Sequence, residues 1–261
     1  MRTNEEEAYL RVLIEQIRAD HPTMNSLSMY YKTNPVTIGR DKFIGICREY
    51  GFVAKRSSSG KRTTDSSGVV GFDNLLQNLE LTTINQAFSS DITYYEISHS
   101  YYYITLIMDC FSRVILGWNV SSRLLTEHTT LPALKQAIKT RKKTMKAGII
   151  FHSDGGGQYY DKNFLLLTQK YQFKNSMCEF AYQNGKSERL NGIIKNNYLK
   201  FTTIENLQDL VHQVDLAVKK YNTEKPHKGL KYLTPAEFEN KHLSLKQPKA
   251  LPMTESLEAN N

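Results

Sequence analysis

The chain has 261 residues, 40% of them hydrophobic, with 34 Lys/Arg against 26 Asp/Glu, a net charge of +8 at pH 7. A pI of about 9.2 and a mean hydropathy of −0.49 describe a soluble globular protein with room for one good core and a smaller second one. No apolar run approaches the ~18 residues that span a bilayer, and the three scattered cysteines, Cys47, Cys110 and Cys178, support neither a disulfide scaffold nor a zinc site.

That cysteine pattern fits a reducing cytoplasm, and the acidic start (Glu5, Glu6, Glu7) is unlike a signal peptide. The basic excess favours nucleic acid or another anionic surface and says nothing about fold. It is unevenly placed: residues 1–84 hold 11 Lys/Arg against 10 Asp/Glu, and the remainder holds 23 against 16.

In chain order, Leu10, Leu13, Ile14 and Ile17 recur at helical spacing and predict a helix over 5–20, stopped by His21-Pro22. A short helix follows near Leu27 to Tyr31. A third starts with Thr37 as N-cap, runs through Phe43, Ile44 and Cys47, and ends at Gly51. Three short helices resemble a helix-turn-helix unit; a plain packing bundle fits the pattern as well. Residues 54–70 are Ser/Gly-rich and basic and read as an exposed linker, with Lys55, Arg56, Lys61 and Arg62 able to follow a nucleic-acid backbone.

From Phe88 the character changes. Ile92 to Ile97, Tyr101 to Met108 and Arg113 to Val120 are rich in β-branched and aromatic residues and closely spaced, which predicts three consecutive antiparallel strands, the first two joined by Ser98-His99-Ser100. Thr126 to Thr140 reads as a helix, Gly148 to Phe151 as a buried strand, Lys162 to Tyr171 as a helix and Phe173 to Met177 as a strand. Two longer helices, about 184–200 and 204–222, close the unit. The predicted fold class is α/β: a ribonuclease-H-like mixed sheet flanked by helices, with a small N-terminal helical domain. The expected organisation is a helical domain over 1–53, a linker over 54–84, a catalytic core over 85–245 and a flexible tail over 246–261.

Three acidic residues stand in distinct local signatures: Asp91 in SSDIT (89–93), Asp154 in FHSDGGGQYY (151–160) and Glu188 in NGKSERLNG (184–192). A basic chain that gathers three carboxylates is suited to holding hard divalent cations, which prefer oxygen ligands, against a polyanion. Two such ions about 4 Å apart serve in-line phosphoryl displacement. Asp91 is expected at the start of its strand, Asp154 just after the buried strand, and Glu188 near the start of a helix that must cross the strands. Taken singly, each acid has an ordinary structural reading as a cap, a turn former or a surface charge.

The ordered set of motifs resembles bacterial insertion-sequence transposases with a retroviral-integrase-like DDE core, specifically the product of the downstream of two overlapping reading frames. It comprises SSDIT, MDCFSRVILGW (108–118), FHSDGGGQYY, NGKSERLNGIIKNNYLK (184–200) and YNTEKPHKGLKYLTPAEF (221–238). The resemblance implies a DNA polynucleotidyl transferase that cuts and joins DNA with Mg²⁺, or Mn²⁺ as substitute, through two ions held by Asp91, Asp154 and Glu188. It also implies DNA as partner, a homo-oligomer, an upstream-frame protein partner and a cytoplasmic, nucleoid-associated location without membrane contact. Phe88 stands where the family often has Trp, and Gly155-Gly156-Gly157 where many members have Arg-Gly-Ser. The competing readings are a ribonuclease-H-like nuclease and an inactive DNA-binding relic.

Around the triad, Glu188, Asn191 and Lys195 fall on one helix face, which Leu199 continues as an apolar stripe. Lys195, Asn191, Arg189 and Lys186 are the expected DNA contacts. His152 is expected to make a structural hydrogen bond. Asp109 is the most plausible impostor for the triad, with Arg113 as its possible partner. Tyr221, Asn222, Pro226 and His227 are expected to pack the C-terminal helix. The basic run Lys139, Arg141, Lys142, Lys143 and Lys146 is a candidate for target DNA.

Overall fold

A computed structural model describes residues 2–52, 54, 71–178 and 184–246. The basic stretch 55–70 and the tail from 247 lie outside the described residues.

Helices α1 (Arg2–Asp20), α2 (Ser26–Thr33) and α3 (Arg40–Glu49) bury Leu10, Ile14, Met29, Ile38 and Phe43 in a core of their own. Asn25 caps α2, its side chain accepting from the Ser28 N–H at 2.8 Å. Helix α3 begins after Gly39 rather than after Thr37, because Ile38 is drawn into the core and the Thr37 N–H is donated to the Glu6 carboxylate on α1 at 3.2 Å. Gly51, at φ 69°, ends α3 as expected of a glycine at that place.

The five-stranded sheet has the order β3-β2-β1-β4-β5. Strands β1 (Ala87–Ile97), β2 (Ser100–Asp109) and β3 (Ile115–Ser121) are antiparallel neighbours, and β4 (Ile150–Ser153) and β5 (Lys174–Met177) add in parallel on the other side of β1. Ser98 and His99 both take left-handed backbone, so the first hairpin closes on two residues and Ser100 already pairs with Ile97. Strand β3 starts two residues later than expected because Arg113 sits at φ 65° in a tight turn closed by Asp109 and Val114. Strand β1 starts earlier, at Ala87: Phe88 and Ser89 are buried between two partner strands, and Ser90, also buried, shares a hydrogen bond with the Tyr159 hydroxyl at 2.8 Å.

One sheet face packs Phe88, Ile107, Leu116 and Phe151 against α4 (Thr130–Arg141) and α5 (Lys162–Lys170). The other packs Ile104, Leu106, Met108 and Ile115 against α6 (Gly185–Asn197) and α7 (Leu207–Thr223). The stretch expected as one helix from Thr126 is a 3-10 turn over Thr126–His128 followed by α4. A last helix, α8 (Pro235–Lys246), adds to the elements expected from the sequence. Thr234 and Glu237 exchange side-chain-to-backbone hydrogen bonds at 2.8 and 3.2 Å, a capping box with proline in the first turn. The N-terminal helices dock near the end of α7. His21 bonds Tyr198 and Glu224, Asp20 pairs with Lys220, and Tyr31 stacks on Tyr232 with ring centres 4.1 Å apart. No described helix is long and apolar enough to cross a membrane.

Candidate active site

The sheet register brings the two aspartates level. Ser89 pairs with His152 across the parallel β1–β4 ladder, so Asp91 and Asp154 each lie two residues further along adjacent strand paths. Neighbouring strands run about 4.8 Å apart, and alternation turns both side chains to the same face, the one covered by α6. Asp91 therefore occupies the middle of β1 and not its start.

Burial, aided by the negative charges of Asp154 and Glu188, pushes Asp91 up to about 7, against hydrogen bonds from the Ile92 N–H and the Asn191 amide. Asp154 is also raised by burial. Both carboxylates nevertheless keep a partly accessible surface. Glu188 is exposed in the first turn of α6. Among the described residues no three His, Cys, Asp or Glu side chains are drawn together closely enough to hold an ion. The aspartates form a mutually repelling pair, and Glu188 stands at the edge of their field.

Helix α6 lies over β1. Asn191 donates to Asp91 Oδ2 at 2.8 Å, and Lys195 reaches Thr93 Oγ1 at 3.3 Å with its ammonium 4.8 Å from the centre of the Tyr94 ring. Burial lowers the Lys195 pKa. Leu199 is fully buried, in keeping with the apolar continuation of this stripe. The other two expected DNA contacts lie elsewhere. Arg189 and Lys186 are exposed on a second flank of α6, and Lys186 reaches the Cys110 carbonyl at 3.4 Å. His152 is buried, bonds Ser176 Oγ at 3.0 Å and is pulled down to about 4 by burial, which is the structural role expected of it.

Asp109 is no impostor. Its fully buried carboxylate accepts from the backbone N–H groups of Asn85, Phe111 and Ser112 at 2.7–3.0 Å, which holds the turn after β2. Its nearest cation is Arg141 at 4.0 Å, not Arg113. Arg141 in turn makes a buried two-point pair with Glu239 of α8, which removes it from the candidate target-DNA run; Lys142, Lys143 and Lys146 stay exposed. Asn222 makes two hydrogen bonds to the Ile115 backbone, at 2.9 and 3.0 Å, and Tyr221 is buried against Met108, in keeping with their packing role.

Models described as integrase core domain match residues 82–182 and 169–235, together more than half of the chain. The chain belongs to the integrase-core family. This integrase core is 27% identical over 214 residues to the "insertion element IS600 uncharacterized 31 kDa protein" of Shigella sonnei, covering 80% of this chain and 78% of that protein. It is 26% identical over 186 residues to transposase InsF for insertion sequence IS3A of Escherichia coli, covering 66% of this chain and 60% of InsF. Among solved structures, a chain of the simian T-cell lymphotropic virus intasome in complex with PP2A regulatory subunit B56 gamma superposes with a TM-score of 0.58 at 14% identity, covering 95% of this chain and 78% of that one. That likeness concerns fold.

Proposed function

We propose that this integrase core is the catalytic subunit of an insertion-sequence transposase, which nicks DNA to free a 3′-hydroxyl and joins that end to a target phosphodiester. The single observation that carries the reading is the level placement of Asp91 and Asp154 on adjacent strands beneath α6, inside the matched family segment. In this reading Asp91, Asp154 and Glu188 hold divalent ions, Mg²⁺ or Mn²⁺. A carboxylate pushed up to about 7 beside a second one is a site whose repulsion a bound cation relieves. Glu188 has to turn inward from its exposed position to complete the set. The ions, a pair in our reading, supply Lewis-acid stabilisation of the attacking and leaving oxygens.

The residues of the chain supply positioning. Asn191 fixes the Asp91 carboxylate through its 2.8 Å hydrogen bond, and Lys195 sets a cation further along the same helix face, where a DNA phosphate would run. Two DNA ends must be joined in concert, so the working form contains at least two protomers. A helical unit over 1–53, a linker, a core over 85–245 and a tail remain the proposed division. An upstream-frame partner is proposed to add end-recognition helices, in the cytoplasm at the nucleoid.

End-labelled DNA incubated with the chain and Mg²⁺ tests the function. Joined product is expected. Cleavage confined to RNA–DNA hybrids would point to a nuclease, and binding without turnover would point to an inactive relic.

A further inference from the structure

A cavity of about 1150 Å³ opens on the flank of α6 that faces away from the carboxylates, between α2, the start of α6 and the turn that follows α7. Five cations line it: Arg113, Lys186, Arg189, Lys225 and Lys228. No acidic side chain is among its lining residues, and none of the five takes part in a salt bridge among the described residues. Surface cations normally interleave with carboxylates, so five unpaired ones around one concavity focus a positive potential there.

The wall is built rather than incidental. Arg113 is a non-glycine residue in left-handed backbone at φ 65°, a conformation that costs free energy and tends to persist where it serves a site. Its guanidinium lies over Gly229, in the space that a Cβ there would enter. Lys225 is sunk far enough that burial lowers its pKa. His227, 93% buried on its 7% exposure, has an Nε2 without a hydrogen-bond partner among the described residues, and burial together with Lys225 and Arg113 pulls it down to about 3. The last two departures, at Lys225 and His227, are ones that an anion in the cavity would offset. Helix α6 also starts here, with Gly185 in the wall, which adds the positive end of its dipole.

We infer that this cavity binds a backbone phosphate of DNA, on the opposite side of α6 from the carboxylate pair, so that the DNA strand is gripped on both flanks of one helix. The inference rests on the transposase reading for the identity of the polyanion. It assigns Arg113, Lys225 and Lys228, in a segment otherwise read as packing, to DNA binding, and joins Arg189 and Lys186 to them.

The test is binding of a short labelled duplex to the full chain over a range of salt, with Lys225→Gln/Lys228→Gln and, separately, the exposed Arg189→Gln. Melting temperature confirms that each variant is folded. Phosphate binding is sequence-independent, and the slope of log K against log salt becomes shallower by about 0.9 for each phosphate that the protein ceases to neutralise. The double variant is expected to bind about tenfold more weakly with a slope shallower by about 1–2, and Arg189→Gln to move the same way by less. Unchanged affinity and slope in both variants overturns the inference. So does a cavity that takes inorganic phosphate, seen as a shift of the His227 ring resonances, while duplex affinity is unaffected by the substitutions; that result assigns a free-anion site. Failure of the transposase reading is separately visible: wild-type chain that binds duplex through the cavity but never joins ends leaves the phosphate site standing and removes the enzyme.

Discussion

Asp91 is the residue on which chemistry and stability pull in opposite directions. Its folded-state pKa of about 7 exceeds the ordinary aspartate value of about 3.9. The unfolded chain therefore releases this proton more readily. The stability linked to this group is fully present below about pH 4 and is lost as pH rises through about 7. Asp91→Asn removes that loss while leaving an oxygen to accept from Asn191. In chelator, the variant is expected to melt above the wild type at pH 8, by about 2–4 °C for each kcal/mol regained, with the gap closing toward pH 4. Scanning fluorimetry across that range reads it directly, and a gap independent of pH contradicts the repulsion argument. Arg141 makes the contrasting case. It sits in a basic run but is buried against Glu239 and Asp109. Arg141→Met is expected to cost about 3–5 kcal/mol because it strands buried carboxylates, whereas the exposed Lys142→Met should fall within about 0.5 kcal/mol; urea unfolding distinguishes them.

At the scale of elements, Gly117 and Thr234 show what sequence does and does not reveal. A Cβ at Gly117 on β3 would lie 2.2 Å from the Ala133 carbonyl and 2.8 Å from the Ala137 nitrogen, so α4 packs directly on strand backbone there. Gly117→Ala is expected to destabilise by about 1–3 kcal/mol, and denaturant midpoints equal to wild type would contradict this close approach. Nothing local in ILGW announces that contact, because it is made by a helix more than a dozen residues away. Thr234 is the opposite case: Thr-Pro-Ala-Glu is a complete capping signal, so α8 is legible in the sequence even though its weakly patterned apolar residues do not announce a helix. The strands and most helices follow from period and turn residues. The boundaries that differ from expectation, at Ala87, Gly39 and Ile115, do so because two-sided pairing, a long-range cap from Glu6 and a left-handed arginine override local preference. At the candidate site, the register sets Asp91 and Asp154 level and Asn191 of α6 bonds Asp91, an arrangement that the motifs suggest but that only the strand pairing and helix docking produce. The outward pose of Glu188 and the cavity cations beyond α6 depend on how helices dock, which no window of sequence encodes.

Across the whole molecule, the N-terminal helices are tied to the core through His21, which burial pulls down to about 4 despite its Glu224 partner, with Lys32 and Lys220 opposing protonation. The unfolded chain takes up this proton near pH 6.5. The linked stability is therefore present above that pH and lost as pH falls toward 4. His21→Gln is expected to flatten the decline of unfolding free energy between pH 7 and 5 relative to wild type, and an unaltered slope would show that the docking does not depend on a neutral imidazole.

The transposase account rests on three carboxylates acting as one site, two of them level on adjacent strands and Glu188 exposed on α6. The most direct measurement is strand joining of end-labelled DNA in Mg²⁺ by Asp91→Asn, Asp154→Asn and Glu188→Gln, each verified as folded. The account predicts that every one of the three loses at least about a hundredfold in joining rate, Glu188→Gln as severely as the aspartate variants. Glu188→Gln joining DNA at the wild-type rate would contradict it.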